Sequence, residues 1–233
     1  DQLAYTIDNS DTKYLVVDYD LLDVYETVKD RLPKVERVFV NKLEAPSGFT
    51  VPAAMTDLRD AYAAGIPATK PNATFDENSI LMLMYTSGTT GLPKGVVMRY
   101  NKNVIDRVKM LAGLLLTPDS VYYTALQLFH GNALYVTTTS SLIVGCTVAL
   151  SKRFSASRFW PVIEKHSVTH ISLLPFVIQN AFEQGIPEDH TVKVGVFGLI
   201  MPVLDQMMGM KVVAAYGMTE LVTHCIHSNP WEH

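Results

Sequence analysis

The stretch VTHISLLPFVIQNAFEQGIPEDHTVKVGVFG, Val168 to Gly198, sets the fold class. Its first eight residues form a short apolar run closed by Pro175, its middle carries apolar residues at helical spacing up to Gly185, and VKVGVFG is apolar again. Short apolar runs flanking an amphipathic helix predict a strand, a crossover helix and a parallel strand. The same alternation runs outward in both directions. LIVGCTVAL (Leu142 to Leu150) is expected to be a strand, SASRFWPVIEKH a helix despite Pro161, LDQMMG a clipped helix and MKVVAAY a strand.

Nearer the start, KYLVVD and VERVFVN predict strands around LLDVYETVKDRL, where Leu21, Val24, Tyr25, Val28 and Leu32 recur at helical spacing. Asp20 is the expected N-cap of that helix, and Pro33 its end. Residues Leu43 to Asn78, with six prolines and glycines and the helical candidate MTDLRDAYAAG, predict a surface connection. A helix is expected from Asn101 to Leu116. Alternation in both halves gives the class α/β, with mostly parallel sheets and flanking helices. Residues 1–78 form a first strand–helix region and residues 79–233 a second, motif-bearing one.

The 233 residues are 48% hydrophobic and 18% charged, with a formal net charge of -4 at pH 7. That composition predicts a folded chain, and an acidic balance without a basic patch argues against nucleic acid as a partner. Two cysteines, Cys146 and Cys225, are too few for a disulfide framework. With no leader and no apolar run of membrane-spanning length, the expected address is cytoplasmic.

Three segments carry chemistry. Between ILMLMY (Ile80 to Tyr85), expected as a buried strand, and a new apolar run after Gly95 lie Thr86, Ser87, Thr89 and Thr90, glycines 88, 91 and 95, and Lys94. Glycines allow close backbone approach, hydroxyls donate to phosphate oxygens and a lysine brings mobile positive charge, so the segment reads as an oxyanion cradle. A glycine-rich hairpin with solvated hydroxyls is the plainer alternative. It is not a Walker A loop, because GTTGLPKG lacks an adjacent G-K-[ST] triplet.

In LQLFHGNALY, His130 precedes Gly131 and Asn132. It is either a satisfied core histidine or the gate of a pocket where strand becomes loop. In VVAAYGMTELVTH, an apolar strand ends at Tyr216-Gly217, and Thr219 is the expected N-cap of a following helix. An aromatic at a strand's carboxyl end can stack on a base, and a carboxylate such as Glu220 can hold a divalent ion. Routine capping explains the same residues. His166, His170, His190, His224, His227 and His233 make no zinc-type spacing, and no G-x-S-x-G elbow occurs.

Taken together, YTSGTTGLPKG, LFHGNA and YGMTE resemble the signature motifs of the adenylate-forming (AMP-binding) enzymes, in order and rough spacing. The surrounding sequence is most similar to the acyl-CoA ligase branch. The resemblance implies the central part of a large N-terminal domain, with the small C-terminal domain, its catalytic lysine and the ribose-binding aspartate expected to be absent. It implies ATP-dependent activation of a carboxylic acid, expected to be aliphatic, to an acyl-adenylate and pyrophosphate with Mg2+, followed by thioester formation with coenzyme A. Two alternatives are an adenylation domain that loads a carrier-protein thiol and a degenerate nucleotide-binding module without turnover.

Carried over by the resemblance, Thr86, Ser87, Gly88, Thr89, Thr90, Gly91 and Lys94 hold the β- and γ-phosphates, and His130 stands beside the acyl pocket. Tyr216 and Gly217 adjoin adenine, Thr219 the α-phosphate, and Glu220 the Mg2+, with Thr86 as a further metal contact. The catalytic set is Lys94, His130, Thr219 and Glu220. Expected partners are the carboxylate, ATP and CoA, with homo-oligomers open. Between Gly198 and Tyr216 the chain is shorter than the family's pattern, and residues skipped from the record are the expected explanation.

Overall fold

A computed structural model describes residues 1–63, 65, 74–87, 91–100, 102–199 and 201–228. Gly88, Thr89, Thr90 and His233, named above, lie outside the described residues. The chain divides into two units. Asp1–Phe75 with Tyr85–Val96 make the first, and Asp76–Met84 with Val97–His233 the second.

In the first unit, helix α1 (Gln2–Asn9) precedes β1 (Tyr14–Asp18), the short α2 (Leu22–Glu26), β2 (Arg37–Asn41), β3 (Thr56–Asp57) and α3 (Leu58–Ala63). β1, β2 and β3 form a parallel sheet in that order. Ala4 and Ile7 of α1 pack on Val28 and Leu32. The continuous helix expected after Asp20 is instead three short turns: Tyr19–Leu21 and Lys29–Arg31 are 3-10, with α2 between them. Leu21 and Val24, counted towards its apolar face, are exposed. Asp20 lies inside the first 3-10 turn, and Asp18 takes the cap position without a capping bond, its Oδ1 accepting instead from Asn41 Nδ2 at 2.7 Å. Helix α1 and strand β3 were not anticipated.

β4 (Ile80–Thr86) and β5 (Lys94–Arg99) form a two-stranded ribbon, and the glycine- and hydroxyl-rich segment lies between them in sequence. The expectation of a buried β4 fails at its beginning, where Ile80 and Leu81 are about half exposed. In the second unit, Met84 and Met98 of the ribbon are buried with Val108, Tyr135 and Val222. The Tyr135 hydroxyl donates to the Met98 sulfur at 3.4 Å.

The second unit is a three-layer α/β sandwich. After α4 (Lys102–Leu115) come β6 (Val121–Thr124), a π-helix (Asn132–Thr139), α5 (Ser140–Val144) and β7 (Thr147–Leu150). Then follow α6 (Ala156–Lys165), β8 (His170–Ser172), α7 (Pro175–Gln184), β9 (Val194–Phe197), α8 (Pro202–Met208), β10 (Lys211–Gly217) and β11 (His224–His227). The sheet order is β11-β10-β9-β8-β6-β7. All neighbours pair in parallel except β11, which runs antiparallel to β10.

Strand periodicity explains the layers, because successive side chains point to opposite faces. Tyr123, Ile171 and Val212 face a core built by Phe159, Trp160 and Ile163 of α6, Val177 and Ala181 of α7, and Leu204 and Met208 of α8. Their alternates, Tyr122, Val194, Val196 and Val213, face Leu111 and Leu115 of α4 and Val136 of the π-helix. Gly195 is where close approach needs glycine: a β-carbon there would stand 2.6 Å from the Leu173 Cδ1. Pro161 sits inside α6 on its exposed side, away from the core residues Phe159, Trp160 and Ile163. Ile163 is 1% exposed. Ile163→Ala is therefore expected to lower unfolding free energy by about 3 kcal/mol, read as a lower urea midpoint at unchanged slope.

Two further readings need correction. LIVGCTVAL is half helix, because α5 runs to Val144 and Gly145 caps it at φ 80°, leaving only Thr147–Leu150 as strand. Leu142 and Ile143, the reason for reading strand, are exposed on that helix. Thr219 is not an N-cap. It lies within a 3-10 turn, Thr219–Leu221, preceded by Met218. In the shortened stretch after Gly198, α8 lies between the paired parallel strands β9 and β10. Among the described residues no helix is long and apolar enough to cross a membrane.

Candidate functional site

The strand order places a topological switch between β6 and β8. From β6 the chain moves outward to β7, then returns to β8 on the other side and continues to β9 and β10. In open α/β sheets, crevices form beyond the carboxyl ends of strands at such a point. A cleft of ≈ 650 Å³ lies there, within the second unit, lined by residues at the carboxyl ends of β6, β8, β9 and β10. Ala125 to Gln127, Leu173 and Leu174, Gly198, and Gly217 to Thr219 represent these four ends.

His130, Gly217 and Thr219, drawn from two separate motifs, line this cleft together. His130 is exposed at the end of the turn after β6, with its ring beside Phe129 at 4.5 Å between centroids. Its amide donates to the Gln127 carbonyl at 3.0 Å, and its carbonyl accepts from the Leu134 amide at 3.0 Å. The backbone thus passes directly from the histidine into the π-helix. That helix is held wide by Thr138, Thr139 and Ser140, whose hydroxyls donate to carbonyls five residues back at 2.8, 2.8 and 2.9 Å.

Tyr216 and Glu220 adjoin the lining in sequence, but neither side chain is part of it. Tyr216 is 58% exposed at the end of β10, available to stack on a planar ligand. Glu220 is exposed and has no ion pair or hydrogen bond among the described residues. An unpaired carboxylate of this kind suits a hard divalent cation.

Thr86, Ser87, Gly91 and Lys94 belong to the first unit. Lys94 is the first residue of β5 and is exposed, without an ion-pair partner among the described residues. Beside it, a β-carbon on Gly95 would come within 3.1 Å of the Tyr85 ring. The Tyr85 hydroxyl donates to Asn9 Oδ1 at 2.7 Å. The flank of the loop is thereby fixed to α1, while Lys94 keeps its freedom.

The histidines divide by environment. His190 accepts the Val192 amide at Nδ1, so its Nε2–H donates to the Met208 carbonyl at 2.7 Å; its ring stacks on Trp160. His170 donates from Nε2 to the Leu115 carbonyl at 2.8 Å, and its Nδ1 pairs with the Thr169 hydroxyl. Burial holds its pKa below the ordinary value. His224 lines the cleft and is pushed down to about 4, by burial first and by His227 second. His224 pairs with Gly217 and His227 with Ala215, two residues apart on β10, so the register shift between them brings both histidines to the same face.

Asn132, Thr223 and the cleft-facing role of His224 were not read from the sequence. Asn132 followed the singled-out His130-Gly131 pair and was the available signal. Thr223 and His224 depend on a turn at Val222, which takes φ 70° and ψ -43°, a strained conformation for a β-branched residue.

The depressed histidines give a pH prediction. A histidine whose folded pKa lies below its unfolded value contributes stability above pH ~6.5 that is lost as pH falls. For His224 the loss spans from there down to about 4, amounting to at most about 3 kcal/mol. Melting temperature is expected to fall steadily across this window, and less steeply in His224→Phe. An equal slope in that variant would assign the effect elsewhere.

The α/β fold and the cleft now have relatives. The sequence profile of the AMP-binding enzyme family matches residues 1–233, and the chain belongs to that family. It is 31% identical over 231 residues to long-chain fatty acid transport protein 5 of Homo sapiens, covering 94% of this chain and 32% of that protein. It is 34% identical over 153 residues to 2-succinylbenzoate–CoA ligase of Bacillus subtilis (strain 168), covering 64% and 31%. The solved O-succinylbenzoate coenzyme A synthetase from Bacillus subtilis in complex with AMP matches with a TM-score of 0.73 at 25% identity, over 98% of this chain and 44% of that one. The chain thus spans about a third of the length of these two curated relatives.

Proposed function

We propose that the protein activates a carboxylic acid with ATP and transfers the acyl group to coenzyme A. The observation that carries this reading is the cleft at the sheet's switch point, where residues of LFHGNA and YGMTE converge in a chain of the AMP-binding enzyme family. The B. subtilis relative, solved in complex with AMP, supports a nucleotide as ligand. A carboxylate oxygen attacks the α-phosphorus of ATP, the bond to the β-phosphate oxygen breaks, and pyrophosphate leaves. The CoA sulfur then attacks the acyl carbonyl carbon, and AMP leaves with the bonding pair.

In this reading Thr86, Ser87, Gly88, Thr89, Thr90, Gly91 and Lys94 hold the departing phosphates. Tyr216 and Gly217 flank the base, Thr219 meets the α-phosphate, and His130 positions the incoming acid. Glu220, with Thr86 as a second candidate, would hold Mg2+, which when bound neutralises phosphate charge. The substrate is read as aliphatic because Phe154, Leu173, Leu174 and Phe176 give the cleft apolar walls.

The test is acid-dependent exchange of labelled pyrophosphate into ATP by the full-length protein, followed by thioester formation with CoA. Exchange without CoA thioester, but with transfer to a carrier-protein thiol, would replace the acceptor. No exchange with any acid, despite nucleotide binding, would replace the enzyme with a binding module.

A further inference from the structure

The cleft has apolar walls, yet one part of it is polar. Asn132 Oδ1, Thr223 Oγ1 and His224 Nδ1 are buried atoms without a hydrogen-bond partner, and all three residues line the cleft. Thr223 is 4% exposed. Leaving a buried polar atom unpaired is costly, on the order of 1–3 kcal/mol each. Three on side chains that line one cavity point to a ligand that pairs with them.

Their backbone is held closely from two sides. A β-carbon on Gly131 would lie 3.1 Å from the Val222 carbonyl oxygen, so the turn bearing Asn132 packs directly on the Val222–Thr223 peptide. A β-carbon on Gly217 would lie 2.6 Å from the Thr223 carbonyl oxygen and 3.0 Å from the His224 Cα. With Val222 at φ 70°, the segment is fixed between two glycines in a conformation it would not adopt alone.

We propose that this cleft selects a carboxylic acid bearing a neutral hydrogen-bonding substituent, a hydroxyl or an amide, which pairs with Asn132, Thr223 and His224. The inference rests on the reading of the cleft as the acid-binding site. Asn132 Oδ1 accepts, the Thr223 hydroxyl both donates and accepts, and a neutral imidazole does either through Nδ1. The low pKa of His224 keeps that ring neutral near pH 7. No lysine or arginine is among the described residues lining the cleft, so a second carboxylate would lack a cationic partner there. A plain hydrocarbon would leave all three atoms unpaired.

The experiment measures binding to the full-length protein of acyl-sulfamoyl adenosines, non-hydrolysable mimics of the adenylate. They are made as pairs of equal chain length, with and without a hydroxyl at successive positions. At one position or more, the hydroxylated member is expected to bind at least ~10-fold more tightly. That ratio is expected to fall to near one in Thr223→Val and in His224→Leu. The isosteric Thr223→Val keeps the test open should His224→Leu fail to fold. No gain at any position, or a gain unchanged in the variants, overturns the inference while AMP still binds. Failure of AMP itself to bind would overturn the proposed function as well.

Discussion

Gly217→Ala is expected to destabilise the protein and to disable the cleft together. The new β-carbon would meet backbone: the Thr223 carbonyl oxygen at 2.6 Å, the His224 Cα at 3.0 Å and the Thr223 carbonyl carbon at 3.1 Å. No rotamer change relieves such contacts, so β10 and β11 must separate where their register already shifts, between Tyr216 and Gly217. Overpacking of this kind costs about 1–3 kcal/mol. Because Thr219, Thr223 and His224 all line the cleft, the same displacement is expected to cut acid-dependent pyrophosphate exchange by ~10²-fold, as misplacement of reacting groups by about 1 Å does. The control is Gly113→Ala, exposed in the last turn of α4, where a β-carbon meets nothing within 4 Å. That change is expected to raise stability by about 0.5–1 kcal/mol through helix propensity. Paired urea titrations and exchange assays check both. Wild-type exchange in Gly217→Ala would show that the Val222–His224 segment does not shape the site.

The sequence was most legible where burial left a single solution. β8, α7 and β9 could be read because a parallel strand covered on both faces is apolar throughout, whereas its crossover helix is apolar on one side only. The same rule misled at LIVGCTVAL. Leu142 and Ile143 are apolar but exposed, and a short apolar run does not by itself separate helix from strand. The π-helix was hidden for a different reason. Thr138, Thr139 and Ser140 look like ordinary polar residues, and only their bonds to carbonyls five residues back reveal the wider turn.

At the site, His130, Gly217 and Thr219 stood out because glycine, hydroxyl and imidazole interrupt apolar runs, and these three line one cleft. Thr223 and His224 did not, because their placement depends on the unusual dihedrals of Val222 and on a register shift in β11. No periodicity encodes either feature.

Lys94 gives the sharper chemical prediction. It opens β5, following the hydroxyl-rich segment in sequence, exposed and free of an ion-pair partner among the described residues. Neighbouring Gly95 is packed under the Tyr85 ring, which is tied to Asn9. The strand end is therefore positioned while the ammonium remains free to meet an anion. In the proposed reaction, negative charge grows on the pyrophosphate oxygens as the bond to the α-phosphorus breaks, and only that half-reaction contains pyrophosphate. Removing one such charge typically costs about 10²–10³ in rate, so Lys94→Ala is expected to slow acid-dependent pyrophosphate exchange by about that factor. Thioester formation from pre-made acyl-adenylate and CoA is expected to change by less than ~3-fold, because AMP is the leaving group there and the lysine's partner is gone. Lys94→Arg is expected to recover part of the exchange rate, since it restores charge without the same reach. The two half-reactions are measured separately, by isotope exchange and by single-turnover thioester formation. Equal losses in both would place Lys94 in general nucleotide binding, and an unchanged exchange rate would remove it from the site.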